Sequence, residues 1–225
     1  NSLTGPLNWV YSPPGEMNAI LYFASVRVGK TLPSLAPGQP HEHYYVGPTF
    51  YGNTSKIVLF NYEPPACIHV IDPEIDDVNR LLPELLRDNA QYSNSNVILF
   101  NKEAVLPKQF YPNEPDHGWC YYFTKAELAR QQNDWEQVIQ LGNKAFALND
   151  YPNDPTERFV FIEGYAHVGN WEKAMELSQV SYKVSKSFVG PPLCKLWNRI
   201  ERETEKTQEQ KVTLDIVQNK FECLP

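Results

Sequence analysis

Along roughly the first hundred residues, apolar positions come in short runs broken by Gly, Asn and Pro. Residues 19–28 (AILYFASVRV) and 56–62 (KIVLFNY) are β-branched and aromatic, a composition that predicts strands. The run 67–71 (CIHVI) follows the turn Glu63-Pro64-Pro65-Ala66, which predicts a hairpin with the strand before it. Residues 96–100 (NVILF) are continuously apolar, as in a strand covered on both faces. Residues 44–51 read as an edge strand that Pro48 weakens. One helix start is legible at Asp72, with Pro73 at the first helical position and Glu74, Asp76 and Asp77 at the positive end of the dipole. Val78, Leu81, Leu82, Leu85 and Leu86 continue it as one stripe, in which Pro83 predicts a kink or break. Residues 1–18 and 30–43 read as surface loops.

Beyond residue 115 the period changes to that of helices. Segments 119–132, 135–148, 155–168 and 171–185 read as four of them, and 193–204 and 208–222 as two more polar ones. Asp154, Pro155 and Glu157 form a start signal of cap, first-turn proline and capping-box acid. Self-comparison aligns Asn133-Asp134-Trp135-Glu136-Gln137-Val138 with Gly169-Asn170-Trp171-Glu172-Lys173-Ala174, and pairs Leu141 with Leu177 and Phe146 with Tyr182. On Gly169, Trp171 and Ala174 in one copy, and Ala126, Asn133, Trp135 and Ala145 in the other, this region resembles the tetratricopeptide repeat, a helix–turn–helix unit of about 34 residues. Val138 departs from that pattern, since a small residue there lets two helices approach closely, and it forecasts a wider or shifted packing angle. The competing reading is an ordinary antiparallel bundle.

Proline sharpens the division. Of 19 prolines, 14 lie at or before Pro115 and five after it, and proline breaks helix interiors. The predicted fold is α+β: a small mixed α/β strand layer over 1–112, followed by an all-helical tetratricopeptide-like array over 113–225. With 20 basic and 27 acidic side chains the net charge is −7, the wrong sign for nucleic acid. No run of 18 apolar residues is present, so this chain carries no direct membrane span. A start at Asn1 with no signal peptide suggests a processed protein or an excised piece.

Candidate chemistry is sparse. Gly29-Lys30-Thr31 lacks the preceding glycine and following helix of a phosphate loop, so a turn is the better reading. His41-Glu42-His43 offers donors but sits in a proline-rich stretch without a second histidine pair, and no metal or cofactor is assigned. Asp72, Asp76 and Asp77 are explained as helix-capping residues, and no nucleophile elbow or cysteine nucleophile motif appears, so no catalytic residue is assigned. Cys67, Cys120, Cys194 and Cys223 allow two disulfides in an oxidising compartment or four free thiols in the cytoplasm. A Cys67–Cys120 bridge would staple the two halves, and Cys194 and Cys223 could pair across the last two helices. Trp119, Tyr122, Trp135, Tyr165 and Trp171 are the candidate binding surface, set against an inter-layer core.

The stretches 50–55, 64–73, 119–135 and 161–166 together are similar to the soluble C-terminal portion of large, uncharacterised polytopic membrane proteins of the Chloroflexi type, some with glycosyltransferase-like membrane parts. That resemblance implies an extracytoplasmic domain of a bacterial membrane protein, with a cytoplasmic scaffold as the alternative; it brings no catalytic residues. The functional expectation is a non-catalytic interaction or accessory domain that binds a protein or peptide, including the membrane part of its own parent chain. The alternative is a carbohydrate-active enzyme domain using acidic residues where the halves join.

Overall fold

The computed structural model describes residues 3–12, 20–25, 35–45, 47–98, 109 and 116–223. They belong to two compact units, each discontinuous in sequence: 1–58 with 96–115, and 59–95 with 116–225. The fold is α+β and mostly helical, with strands confined to two antiparallel pairs among the described residues.

In the first unit, helix α1 (Thr4–Tyr11) occupies part of the predicted N-terminal loop. Asn8 explains its place: Oδ1 accepts from the amides of Leu21 (2.7 Å) and Tyr22 (3.0 Å), and Nδ2 donates to the Tyr22 carbonyl (2.6 Å). The predicted strand 19–28 is therefore, over its described residues 20–25, an extended segment hung on α1, with a single bridge from Ile20 to Phe50. Strands β1 (Pro40–Tyr44) and β2 (Thr49–Asn53) form a hairpin in which His41 faces Gly52 and His43 faces Phe50. The His41-Glu42-His43 stretch is thus strand rather than loop. Alternation puts both imidazoles on one face, where they pack against the ring of Phe23 at 5.3 and 4.7 Å. Gly29-Lys30-Thr31 lies outside the described residues, as do residues 99–100; of the predicted strand 96–100, residues 96 and 97 sit in a 3-10 turn.

In the second unit, β3 (Phe60–Asn61) and β4 (His69–Val70) make the predicted hairpin across Pro64-Pro65. A single layer of four or five strands does not form among the described residues, because 59–95 is held by the helices. The predicted helix from Asp72 is also not continuous. A 3-10 turn at Asp76–Val78 is followed by α2 (Glu84–Asp88), which starts directly after Pro83.

Six helices follow: α3 (Trp119–Gln131), α4 (Trp135–Phe146), α5 (Phe159–His167), α6 (Trp171–Val184), α7 (Lys186–Glu203) and α8 (Gln208–Phe221). The turns α3–α4 and α5–α6 share the same left-handed position, cap and return bond. Asn133 and Gly169 are left-handed (φ 57° and 76°), and Asp134 and Asn170 cap the next helix through the amides of Gln137 and Lys173. The amides of Asp134 and Asn170 return to the carbonyls of Ala129 and Tyr165. Helix α7 begins earlier than its predicted start and runs through Pro191 and Pro192. The carbonyls these prolines leave free belong to the exposed Ser187 and Phe188, where water can satisfy them.

Val138 is fully buried and, on its α5 side, lies against Gly164, whose missing side chain makes the room: a Cβ there would lie 2.5 Å from Val138 Cγ1. Every residue of α5 from Phe159 to Ala166 is buried, because α5 is covered by α4 and α6 and by the 59–95 segment.

Candidate functional site

The densest chemistry lies where 67–82 meets α3, α5 and α7. Glu163 interrupts the apolar run of α5 and is 1% exposed. Arg199 of α7 clamps it with two parallel bonds, Nε to Oε1 at 2.7 Å and Nη2 to Oε2 at 2.9 Å, and reaches Asp72 Oδ2 through Nη1 at 2.6 Å. Arg130 of α3 bonds Glu127 (3.1 Å) and stands 3.6 Å from Asp72 and 3.9 Å from Glu163. Such bidentate, charge-assisted contacts are the strong class of hydrogen bond. Burial alone would raise the Asp72 pKa; the two guanidinium groups outweigh it and hold the carboxyl below its usual range.

A second pair closes the hairpin side. Asp76 is 1% exposed; its Oδ2 takes His69 Nε2 at 2.6 Å and the Asp72 amide at 2.8 Å, and its Oδ1 takes the Asn79 amide group at 2.9 Å. Burial opposes the charged form of His69, but the Asp76 charge and hydrogen bond, with Glu127 and Asp154 behind them, raise its pKa to about 9. The space left among these groups is about 30 Å³, room for a water molecule or two and not for a sugar ring. Each buried carboxylate here already holds an arginine or histidine. The arrangement fastens a segment to the helices; the geometry of a glycosidase pair, two carboxylates free to face a substrate, is not built here.

Two further ties act in the same sense. Cys67 is bonded to Cys120 at the start of α3, and buried Glu157 accepts the Cys67 amide at 2.9 Å. Cys194 is bonded to Cys223, linking α7 to the end of α8. All four cysteines are therefore in disulfides and none is free.

The five aromatic candidates separate. Trp119 and Tyr165 are 2% and 6% exposed and belong to the core, so they are corrected from surface to packing residues. Trp119 meets Phe146 and Phe161 edge-on, and the Tyr165 hydroxyl donates to Asn143 at 2.9 Å. Tyr122 is half-buried against the core. Trp135 stacks on His167 with ring centroids 3.7 Å apart. Trp171 lines an open groove between α6 and α8, where spaces of about 640 and 380 Å³ adjoin. It is lined by Trp171, Met175, Val212 and Ile216 together with Glu172, Glu176 and Glu209, and the adjoining space over Val212 and Ile216 on α8 adds Asp215 and Lys220. Lys173 beside it pairs with Glu176 at 2.8 Å, while Glu172 and Glu209 hold no ion pair among the described residues.

Asp72, Asp76 and Asp77, read from sequence as caps, do more. Asp72 Oδ1 does accept the Glu74 amide, but Oδ2 takes Arg199, and Asp77 takes Lys195. The signal for this network was Glu163, an acid in an otherwise apolar helix. Comparison with protein-family models, with curated proteins and with solved structures finds no match.

Proposed function

We propose that this chain is a non-catalytic interaction domain of a larger, membrane-associated protein, and that its α6–α8 groove receives a partner peptide combining apolar and basic side chains. The observation that carries this is the groove itself: apolar side chains flanked by Glu172, Glu176, Glu209 and Asp215, against the one lysine, Lys220, that lines its α8 end. Apolar burial supplies affinity there, and the uncompensated carboxylates select basic side chains and speed encounter. The face of α3, α5 and α7 that holds Arg130, Glu163 and Arg199 is already filled by the chain's own 67–82 segment. The groove is on the other helices of the pairs.

The tetratricopeptide-like character of the helices is supported by the duplicated turn at Asn133 and Gly169. An extracytoplasmic, oxidising location is supported by the two disulfides, which persist outside reducing compartments. No helix among the described residues is long and apolar enough to cross a membrane, so the membrane association is assigned to the rest of the parent protein.

The test is fluorescence anisotropy with two labelled amphipathic helical peptides of equal length, one Leu/Lys and one Leu/Glu. The Leu/Lys peptide is expected to bind, more weakly as salt is raised, and Trp171→Ala or Val212→Glu to weaken it at least about tenfold. Equal binding of the two peptides, or binding indifferent to both substitutions, overturns the proposal.

A further inference from the structure

We infer that Glu163, His167 and Glu203 form a binding site for a divalent metal ion of the zinc type. Glu163 and His167 are four residues apart on α5 and so share one face. Glu203 is the last residue of α7 and brings Oε2 to 3.8 Å from His167 Nε2. One donor atom from each of the three residues lies within 4.8 Å of the other two. Two ligands held about 2.0–2.2 Å from a tetrahedral zinc stand roughly 3.4 Å apart, so a small closing of side chains suffices.

An independent observation points the same way. The His167 side chain is 10% exposed, and its Nε2 is buried without a hydrogen-bond partner. Buried polar groups are rarely left so. Stacking on Trp135 fixes the plane of the imidazole, and Nε2 looks toward Glu203. The Arg199 clamp does not consume Glu163, since a carboxylate offers about four lone-pair positions. An arginine behind a ligating carboxylate orients it, as outer partners do in metal sites. The cost is charge: Arg199, and Arg130 at 3.9 Å from Glu163, oppose a cation. Binding in the micromolar range is therefore expected rather than the tighter binding of all-cysteine sites. One imidazole with two carboxylates favours zinc over magnesium or calcium, which prefer oxygen alone.

Titration of the oxidised chain with zinc chloride by isothermal calorimetry tests this directly. One equivalent is expected to bind; His167→Gln is expected to abolish it and Glu203→Gln to weaken it at least about tenfold. Glu203 is partly exposed, so its substitution leaves the core packing alone. The double variant His41→Ala/His43→Ala separates out the other histidine pair and is expected to bind as the wild type does. Absence of stoichiometric binding, zinc affinity unchanged in both site variants, or loss of binding in the His41/His43 variant alone would each overturn the inference.

Discussion

Arg199 joins two segments of the helical unit by charge. It is 7% exposed and bridges two carboxylates from different segments, Glu163 and Asp72. Burial works against its charge, but those carboxylates outweigh it and raise the pKa further above the ordinary arginine range. Arg199→Met removes the bidentate partner of buried Glu163 and leaves Arg130, 3.9 Å from Glu163 and 3.6 Å from Asp72, as the remaining cation; the expected loss is about 3 kcal/mol by chemical denaturation. Pairing it with Glu163→Leu should recover part of that loss, because an apolar pair tolerates burial better than a stranded charge. His69 gives the pH dependence. Its pKa is raised from 6.5 to about 9 in the folded chain. The stabilisation is thus fully present below about pH 6.5 and disappears as pH rises through about 9. The stability difference between wild type and His69→Gln should shrink steadily from about pH 6 to about pH 9.5; a constant difference would mean that His69 acts by packing alone.

At the scale of elements, α4 and α5 meet through a reciprocal pair of glycines. Gly164 accommodates Val138, and Gly142 of α4 accommodates Phe161, where a Cβ would lie 2.8 Å from the ring. Gly164→Ala is expected to cost about 1–3 kcal/mol despite alanine's better helix propensity. Val138→Ala in the same chain should relieve much of the clash, so the two substitutions are non-additive in a double-mutant cycle. The helices themselves were legible because their signals are local: caps at Asp134 and Asn170, left-handed turn residues before them, and a tryptophan opening each next helix. The ends of α3, α4 and α6 fall within two residues of the sequence reading. The strand half was not legible in the same way. Short apolar runs do not declare their partners, and 67–82 finds its own in Arg130, Lys195 and Arg199, which are remote in sequence. The groove was half legible: Trp171 stood out, while Val212 and Ile216 look like ordinary positions until α8 is folded against α6.

Taken whole, the chain divides where its composition does not. The proline boundary near residue 115 separates loops from helices, yet 59–95 belongs with the helical unit, and the chain passes between units after residues 58, 95 and 115. Charge explains the allegiance of 59–95: Asp72, Glu74 and Asp77 face Arg199, Arg202 and Lys195, each acid with a base on α7.

The Cys67–Cys120 bond makes this division a question of connectivity as well as of packing. It closes a covalent ring across a sequence separation of 53, and the excursion 96–115 into the first unit begins and ends inside that ring. A protease that cuts anywhere in the excursion therefore opens the ring without parting the molecule. The two pieces stay one covalent body and migrate as one until a reductant cleaves the sulfur bond. A cut between 59 and 66, outside the ring, frees its N-terminal fragment at once from every covalent link to the rest.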